Sequence, residues 1–181
     1  MATLLNSNMA ALKTESQTRI RLAKLSDARQ MALLSRLEIE DGLGWSWTPD
    51  RIRAEIRAST SIVLAAVEGR RLTGFALMRI ESASAHLCLL AVAKGWRRRG
   101  LARRLLITLS QLCQGRRCTQ IRLEVRRSNL EARALYRASG FRLVASIPGY
   151  YENKEAAAVM ALDLPHVLGR ENQPVAPAFC A

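Results

Sequence analysis

The stretch Val92-Ala-Lys-Gly-Trp-Arg-Arg-Arg-Gly-Leu-Ala-Arg-Arg-Leu-Leu106 decides the fold of this chain. An apolar run, Leu87 to Val92, ends where the stretch begins, and apolar residues then recur at helical spacing, at Leu101, Leu105, Leu109 and Leu112. The pattern predicts a strand, a basic turn and a helix. No Ser, Thr, Asp or Asn precedes the helix, so its first N–H groups lack a side-chain cap.

Arginines crowd the predicted start of this helix, at Arg97, Arg98, Arg99, Arg103 and Arg104. Each cation at the positive end of a helix dipole is unfavourable by roughly 0.3 to 1 kcal/mol unless an anion is bound there. Free backbone N–H groups, the close approach that Gly100 permits and the arginine side chains together favour a phosphate-bearing ligand. The alternative is a solvated basic turn that leads into an ordinary core helix.

Length and composition indicate one globular domain with an acidic partner. The chain has 181 residues, 49% of them hydrophobic, which is enough for a single core. Its 28 Lys and Arg residues against 15 Asp and Glu residues give a net charge of +13. Such a charge fits a nucleotide cofactor, an acidic protein or RNA, although a solvated arginine-rich surface would account for much of it.

The cysteines Cys88, Cys113, Cys118 and Cys180 form no CxxC pair, and His86 and His166 form no cluster, so we expect no metal site. Residues 1–24 do not resemble a signal peptide, and no stretch is long and apolar enough to span a membrane. A cytoplasmic protein is expected.

Periodicity predicts the element order β-α-α-β-β-β-α-β-α-β-β between a flexible extension at residues 1–18 and a tail at 164–181. The domain at 19–163 is thus of the mixed α/β class, with helices packed on a mixed sheet. The predicted helix signals are N-caps at Ser26, Thr48 and Ser128 and a C-terminal Gly140. Two segments are predicted as loops, residues 41–47 with Trp45 and Trp47, and residues 147–153.

The turn Arg97-x-x-Gly100-x-Ala102 resembles the [Q/R]-x-x-G-x-[G/A] signature of the GNAT acetyltransferases. The predicted element order is also that of the GNAT fold, a mostly antiparallel sheet of about seven strands flanked by about four helices. The segment Leu123-Glu-Val-Arg-Arg-Ser-Asn-x-x-Ala-x-x-Leu-Tyr-x-x-x-Gly-Phe141 is similar to the RimI-type branch, which comprises N-terminal protein acetyltransferases. The resemblance implies acetyl-CoA as co-substrate and no metal.

Two residues carry the catalytic roles that the resemblance implies. Glu124, on the polar face of a predicted strand, matches the general base, and Tyr136 matches the general acid that protonates the CoA sulfur. Without the resemblance, Glu124 would be expected to pair with Arg122 and Arg126, and Tyr136 would be expected to pack in the core.

The resemblance also implies two sets of binding residues. Cofactor contacts are expected from Leu90, Ala91, Val92, Arg97, Arg98, Arg99, Gly100, Leu101, Ala102, Arg103 and Asn129. Tyr150 and Tyr151 match a pair of tyrosines that line a peptide channel, and their alternative is a packed aromatic loop. The sequence departs from the family pattern at three places: Lys94 replaces a proline, Ala102 a glycine, and Ala156 an aspartate.

The predicted reaction is direct transfer of acetyl from acetyl-CoA to a protein amine within a ternary complex. An N-terminal α-amino group is the expected acceptor, with a ribosomal protein among the candidates, and a lysine side chain or a small amine is the alternative. A rival from another class is a non-catalytic RNA- or ribosome-binding module with a GNAT-like fold, which the charge of +13 would suit.

Overall fold

The computed structural model of the protein describes residues 18–165. The predicted order of strands and helices is confirmed, with two additional 3-10 turns at Leu25–Asp27 and Lys94–Trp96. The elements are β1 (Arg19–Leu22), α1 (Ala28–Glu38), α2 (Pro49–Arg57), β2 (Ser61–Glu68), β3 (Arg71–Glu81), β4 (Ser84–Val92), α3 (Leu101–Gly115), β5 (Gln120–Arg126), α4 (Leu130–Ala138), β6 (Arg142–Tyr151) and β7 (Glu155–Asp163). The proposed extension and tail lie outside the described residues, apart from Thr18, Leu164 and Pro165.

The strands form one seven-stranded sheet in the order β1-β2-β3-β4-β5-β7-β6. Every neighbouring pair is antiparallel except β4 and β5, which run parallel. This parallel ladder joins only residues 84–86 to residues 120–122. Beyond His86 and Arg122 the two strands diverge, and a gap opens near the middle of the sheet.

Each face of the sheet has its own apolar cluster. The helix α3 and Tyr136 of α4 pack on one face, and the helices α1 and α2 pack on the other. In α3 the buried stripe is Leu101, Leu105, Leu106, Leu109 and Cys113.

Two leucines of the helices lie at the surface, and for one of them, Leu112, the sequence pattern predicted an inner position. Leu112 is 39% exposed and Leu37 is 69% exposed. In α3, Cys113 takes the inner place that was predicted for Leu112, because it lies four residues after Leu109. Leu37 lies on the side of α1 opposite Ala28, away from the sheet.

Two of the predicted N-caps are wrong. The helix α1 begins at Ala28 rather than after Ser26, because the Asp27 carboxylate accepts the Lys24 N–H (2.7 Å) and closes a 3-10 turn before it. The helix α4 is capped by Asn129, whose Oδ1 accepts the Ala132 N–H at 3.0 Å. Ser128 is unavailable as a cap since its hydroxyl donates to Glu155 of β7.

The other two helix signals are confirmed. Thr48 caps α2 by accepting the Arg51 N–H at 3.3 Å, with Pro49 in the first helical position. Gly140 follows α4 with φ +90°, a left-handed conformation that favours glycine.

The predicted loop at residues 147–153 is largely strand. β6 continues to Tyr151, and the turn is confined to residues 152–154. β6 lies at the edge of the sheet, where Pro148 has no ladder bond to lose on its outer side. Its pairing with β7 is irregular between Ile147 and Tyr151, which accommodates the Pro-Gly dipeptide.

Candidate active site

A groove of about 700 Å³ lies between the diverging end of β4, the turn before α3 and the helix α4. The groove brings together every residue predicted to contact the cofactor except Arg99: Leu90, Ala91, Val92, Arg97, Arg98, Gly100, Leu101, Ala102, Arg103 and Asn129. Tyr136 also lines it. Glu124, Tyr150 and Tyr151 do not line this groove.

One wall of the groove is the backbone of residues 90–92. These residues pair with residues 74–76 of β3 on one side, and β5 has already diverged on the other. In this part of the described chain the outer backbone groups of β4 therefore have no strand partner. A ligand that carries amide groups can add to this edge as a further strand would.

The start of α3 forms the polar end of the groove. The N-cap Gly100 has φ +73°, and no side chain caps the helix, as predicted. The first intrahelical bond is donated by the Arg104 N–H to the Gly100 oxygen (3.0 Å), so the N–H groups of residues 101–103 precede it. Added Cβ atoms at Gly100 would meet nothing within 4 Å, which leaves space above the helix end for a ligand. These donors suit a diphosphate.

The predicted cofactor arginines have different environments. Arg97 binds the Glu38 carboxylate and also donates through Nε to the Val92 oxygen at 3.2 Å. Arg98 is largely exposed and lies 3.6 Å from a carboxylate oxygen of Glu131. Arg99 and Arg103 are each more than a third exposed. Arg97 is thus held in place, whereas Arg98 is free to turn towards an anion.

Tyr136 lies on α4 with its ring against the core. It is 8% exposed and packs edge-on against Phe141, with ring centroids 5.6 Å apart. Burial raises the pKa of its phenol well above the ordinary value. The phenol is therefore protonated at neutral pH, and Tyr136 is one of the residues that line the groove. The structure gives it both a packing contact and a place beside the groove.

Glu124 is paired with a residue that the sequence did not single out. Nε2 of His86 lies 2.6 Å from Oε2 of Glu124. The pairing with Arg122 and Arg126 considered from the sequence is wrong, because Arg122 binds Gln120 and Arg126 binds Glu155 and the Asp41 oxygen. Register explains the difference. The pairing of β4 with β5 places His86 beside Glu124. Arg122 and Arg126 lie on the same face of β5 as Glu124, but each binds another partner.

The pair His86–Glu124 is charged at neutral pH. The Cys88 sulfur, 3.8 Å from Nδ1, and the Glu124 carboxylate raise the pKa of His86 to about 10. The hydrogen bond from His86 holds the pKa of Glu124 below its ordinary value, against the opposing effect of burial. The proton between them therefore stays on the imidazole. A signal for His86 existed in the sequence: it alternates with Ala85 and Leu87 just as Glu124 alternates with Leu123 and Val125.

The two tyrosines of β6 lie on the Glu124 side of the sheet. Their rings meet edge-on with centroids 5.1 Å apart, and Arg126 lies 5.2 Å from the centroid of the Tyr151 ring. Tyr150 is 47% exposed, and its pKa is raised by burial and by the Glu124 charge. Tyr150 is thus near enough to Glu124 to feel its charge, and almost half of the tyrosine is exposed.

The loop between α1 and α2 contacts β5 and the β6–β7 turn. The Gly44 N–H donates to Glu152 in the β6–β7 turn (2.7 Å), and Arg126 donates to the Asp41 oxygen (2.7 Å). Glu40, 3% exposed, anchors the loop by accepting from the N–H groups of Ser46 (2.6 Å) and Trp47 (3.1 Å). The loop is therefore tied to the β6–β7 turn and to Arg126 at the end of β5.

The two loop tryptophans differ in exposure. Trp47 packs against the apolar cluster under α1 and α2, and the Arg51 guanidinium lies 3.9 Å from its ring centroid. Trp45 is 44% exposed and donates from Nε1 to the Trp47 oxygen at 3.2 Å. Trp47 therefore anchors the loop, and Trp45 stands at its surface.

Residues 30–141, more than half of the chain, match the Acetyltransferase (GNAT) family. The chain belongs to the GNAT family of acetyltransferases. The predicted family and enzyme class are thereby confirmed. The family's acetyl donor, acetyl-CoA, has the diphosphate and the amide-bearing arm that the helix end and the free β4 edge of this GNAT enzyme can accept.

Relatives of this GNAT enzyme include N-terminal acetyltransferases. An N-alpha-acetyltransferase from Sulfurisphaera tokodaii is 27% identical over 168 residues, which cover 86% of this chain and 98% of the relative. A ribosomal protein bS18-alanine N-acetyltransferase from Salmonella typhimurium is 36% identical over 97 residues, or 52% of this chain and 66% of the relative.

The fold agrees with solved structures. The crystal structure of the ribosomal-protein-S18-alanine N-acetyltransferase from Escherichia coli matches with a TM-score of 0.72 and 24% identity over 82% of this chain and 94% of that one. The predicted GNAT architecture is thus confirmed. Within residues 18–165, no group of three or more His, Cys, Asp or Glu side chains is arranged to hold a metal ion, and no helix could cross a membrane.

Proposed function

We propose that this GNAT enzyme transfers acetyl from acetyl-CoA directly to the α-amino group of a protein or peptide. The observation that carries the proposal is that β4, which forms a wall of the groove at residues 90–92, and β5, which carries Glu124, separate beyond His86 and Arg122, with Tyr136 lining the groove. The relatives named N-alpha-acetyltransferase support an α-amine as the acceptor.

Donor binding would use the two ends of the groove. The N–H groups of residues 101–103, with Arg98 and Arg103, would bind the diphosphate, and the free edge of residues 90–92 would pair with the amides of the pantetheine arm. Asn129 caps α4 through its side chain, so its remaining polar groups can contact the arm only beside that cap. This placement would bring the thioester to the end of the groove nearest Tyr136.

The chemistry requires a neutral amine and an acceptor for one of its protons. As the nitrogen attacks the thioester carbonyl, a C–N bond forms, the C–S bond breaks, and the nitrogen becomes far more acidic than a free ammonium. Even a carboxylate with a lowered pKa, such as Glu124, can then accept that proton. An α-amino group, with an ordinary pKa of about 7.7 to 8.0, is partly neutral at physiological pH, whereas lysine at about 10.4 is almost wholly charged.

Tyr136 would supply the proton for the departing thiolate. Its raised pKa keeps it protonated, and the apolar wall that surrounds its ring would also raise the pKa of a thiol beside it, which brings the two closer in acidity. The protons balance: Glu124 gains the proton of the amine, and Tyr136 gives its own proton to the sulfur. Afterwards Glu124 loses a proton to solvent and Tyr136 regains one from it.

The proposal is tested by incubating the purified protein with labelled acetyl-CoA and peptide libraries, followed by mass spectrometry. Acetylated N-termini are expected. Products acetylated only on lysine would replace the proposal by the lysine alternative, and salt-sensitive RNA binding without any turnover would favour the non-catalytic module. A parallel incubation with a cell lysate would identify the acceptor, and a ribosomal protein is one candidate.

A further inference from the structure

The bond between His86 and Glu124 lies where the parallel ladder of β4 and β5 stops. His86 and Arg122 are the last paired residues of that ladder, and Glu124 lies two residues further along β5. The 2.6 Å contact from Nε2 to Oε2 thus spans two strands that are separating. The side chains of His86 and Glu124 are 33% and 20% exposed, so solvent and a substrate can reach the pair.

His86 is the direct charge partner of Glu124 among the described residues. The cations nearby are engaged elsewhere: Arg79, which pairs with His86 across β3 and β4, binds Glu55, and Arg122 binds Gln120. The other ionisable groups around the pair are Cys88 on β4 and Tyr150 and Tyr151 on β6. None of these three is a cation. Arg122 also acts on Glu124 through its charge, but without a direct contact, so His86, which contacts the carboxylate, supplies the larger part of the positive charge that offsets it.

An unbalanced carboxylate would harm amine acetylation. A negative charge a few ångströms from an amine stabilises the ammonium form and raises the amine's pKa, by one or more units at close range. The ammonium has no lone pair with which to attack a thioester. A carboxylate offset by an imidazolium can still accept a hydrogen bond from a neutral amine, while it attracts the ammonium much less.

We propose that His86 is a positioning residue of the acetyl-transfer site, whose imidazolium charge offsets that of Glu124 so that the acceptor amine binds in its neutral, nucleophilic form. This role rests on the proposed acetylation of an α-amine. His86 acts through Glu124 and takes no part in bond making. Its Nε2–H also occupies Oε2 of the carboxylate, which leaves Oε1 for the amine.

The test is His86→Gln, because the glutamine amide can donate to Glu124 from nearly the position of Nε2 but carries no charge. The pH dependence of kcat is measured with a saturating peptide, since kcat reports ionisations in the enzyme–substrate complex. The acidic limb of the kcat–pH profile, where kcat rises with pH, should move to higher pH by about one unit. Near pH 7 kcat should therefore fall about tenfold, and at the alkaline end of the profile it should recover. KM for the peptide should fall or stay unchanged at pH 7, because the ammonium then binds more tightly but unproductively.

His86→Ala and Arg122→Gln complete the experiment. His86→Ala lacks both the charge and the hydrogen bond, so its limb should move as in His86→Gln and its plateau should be lower. Arg122→Gln removes a neighbouring cation that does not bind Glu124, and its limb should move much less. If the acidic limbs of the kcat profiles of both His86 variants coincide with that of an active wild type, the proposed role of His86 is refuted and the proposed function stands. If the wild type acetylates no α-amine at any pH, both fall.

Discussion

Glu38 in the last turn of α1 forms an ion pair with Arg97 in the turn before α3, although the two residues are 59 positions apart. The Glu38 side chain is only 9% exposed, and it lines the groove. A carboxylate therefore stands beside the helix end that is proposed to bind a diphosphate. Arg97 is also held by the Val92 oxygen, so it does not depend on Glu38 alone for its position.

Glu38→Gln should strengthen acetyl-CoA binding, because it removes a negative charge near the diphosphate and leaves Arg97 in place. A change of about 0.5 to 1 kcal/mol, or roughly two- to fivefold in Kd, is expected. Isothermal titration calorimetry measures it. Asp50→Asn, which breaks an exposed ion pair with Arg53 outside the groove, is the matched control. Weaker binding by Glu38→Gln would mean that Glu38 is needed to orient Arg97.

Gly100→Glu should abolish stabilisation of the fold by acetyl-CoA. The wild type should gain about 2.7 kcal/mol at a ligand concentration 100 times Kd, visible as a rise in melting temperature. Gly100→Ala is the control for backbone strain, since φ +73° costs any side chain about 1 kcal/mol. The alanine variant should melt lower but keep its ligand shift. An equal shift with Gly100→Glu would refute a phosphate site at this helix.

Tyr136→Phe should lower turnover while acetyl-CoA affinity stays nearly unchanged. The phenyl ring keeps the edge-on contact with Phe141, and only the proton donor is lost. General acid catalysis contributes roughly 10²-fold or more, so kcat should fall by about that factor. Stopped-flow or steady-state assays with a fluorescent thiol reagent would record it. Unchanged turnover would assign Tyr136 to packing alone.

Glu124→Gln should lower kcat by roughly 10²-fold across about pH 6 to 9, because the amide cannot accept the amine proton. The pKa of His86 should move back towards its ordinary value once the carboxylate is gone, and an NMR titration of the imidazole would follow it. The peptide KM should change less than kcat. Steady-state transfer equal to that of the wild type throughout this range would exclude Glu124 as the proton acceptor.

The pair His86–Glu124 should stabilise the fold only within a pH window. The folded-state pKa of His86 is raised from 6.5 to about 10, so its contribution is complete below about 6.5 and is lost as the pH rises through about 10. The folded-state pKa of Glu124 is lowered from 4.5, so its contribution is complete above about 4.5 and is lost as the pH falls. The difference in melting temperature between the wild type and the double variant His86→Gln with Glu124→Gln should therefore be largest between about pH 4.5 and 6.5. A difference that does not shrink towards pH 10 would contradict a charged pair.

The sequence alone determined the order of the elements and the uncapped start of α3. Both depend on local chemistry: the spacing of apolar residues sets the type of element, and the lack of a capping side chain before Leu101 can be read residue by residue. The same holds for Thr48 and Gly140, whose effects extend only a few residues along the chain.

Tertiary structure decided the features that join distant segments. Ser128 could not cap α4 because Glu155 of β7 binds its hydroxyl, and β6 extends through Pro148 because the strand lies at the sheet edge. His86 meets Glu124, 38 residues away, because β4 and β5 are paired in parallel up to that point and then separate. Strand register sets which side chains face each other across a sheet, and local periodicity carries no information about register.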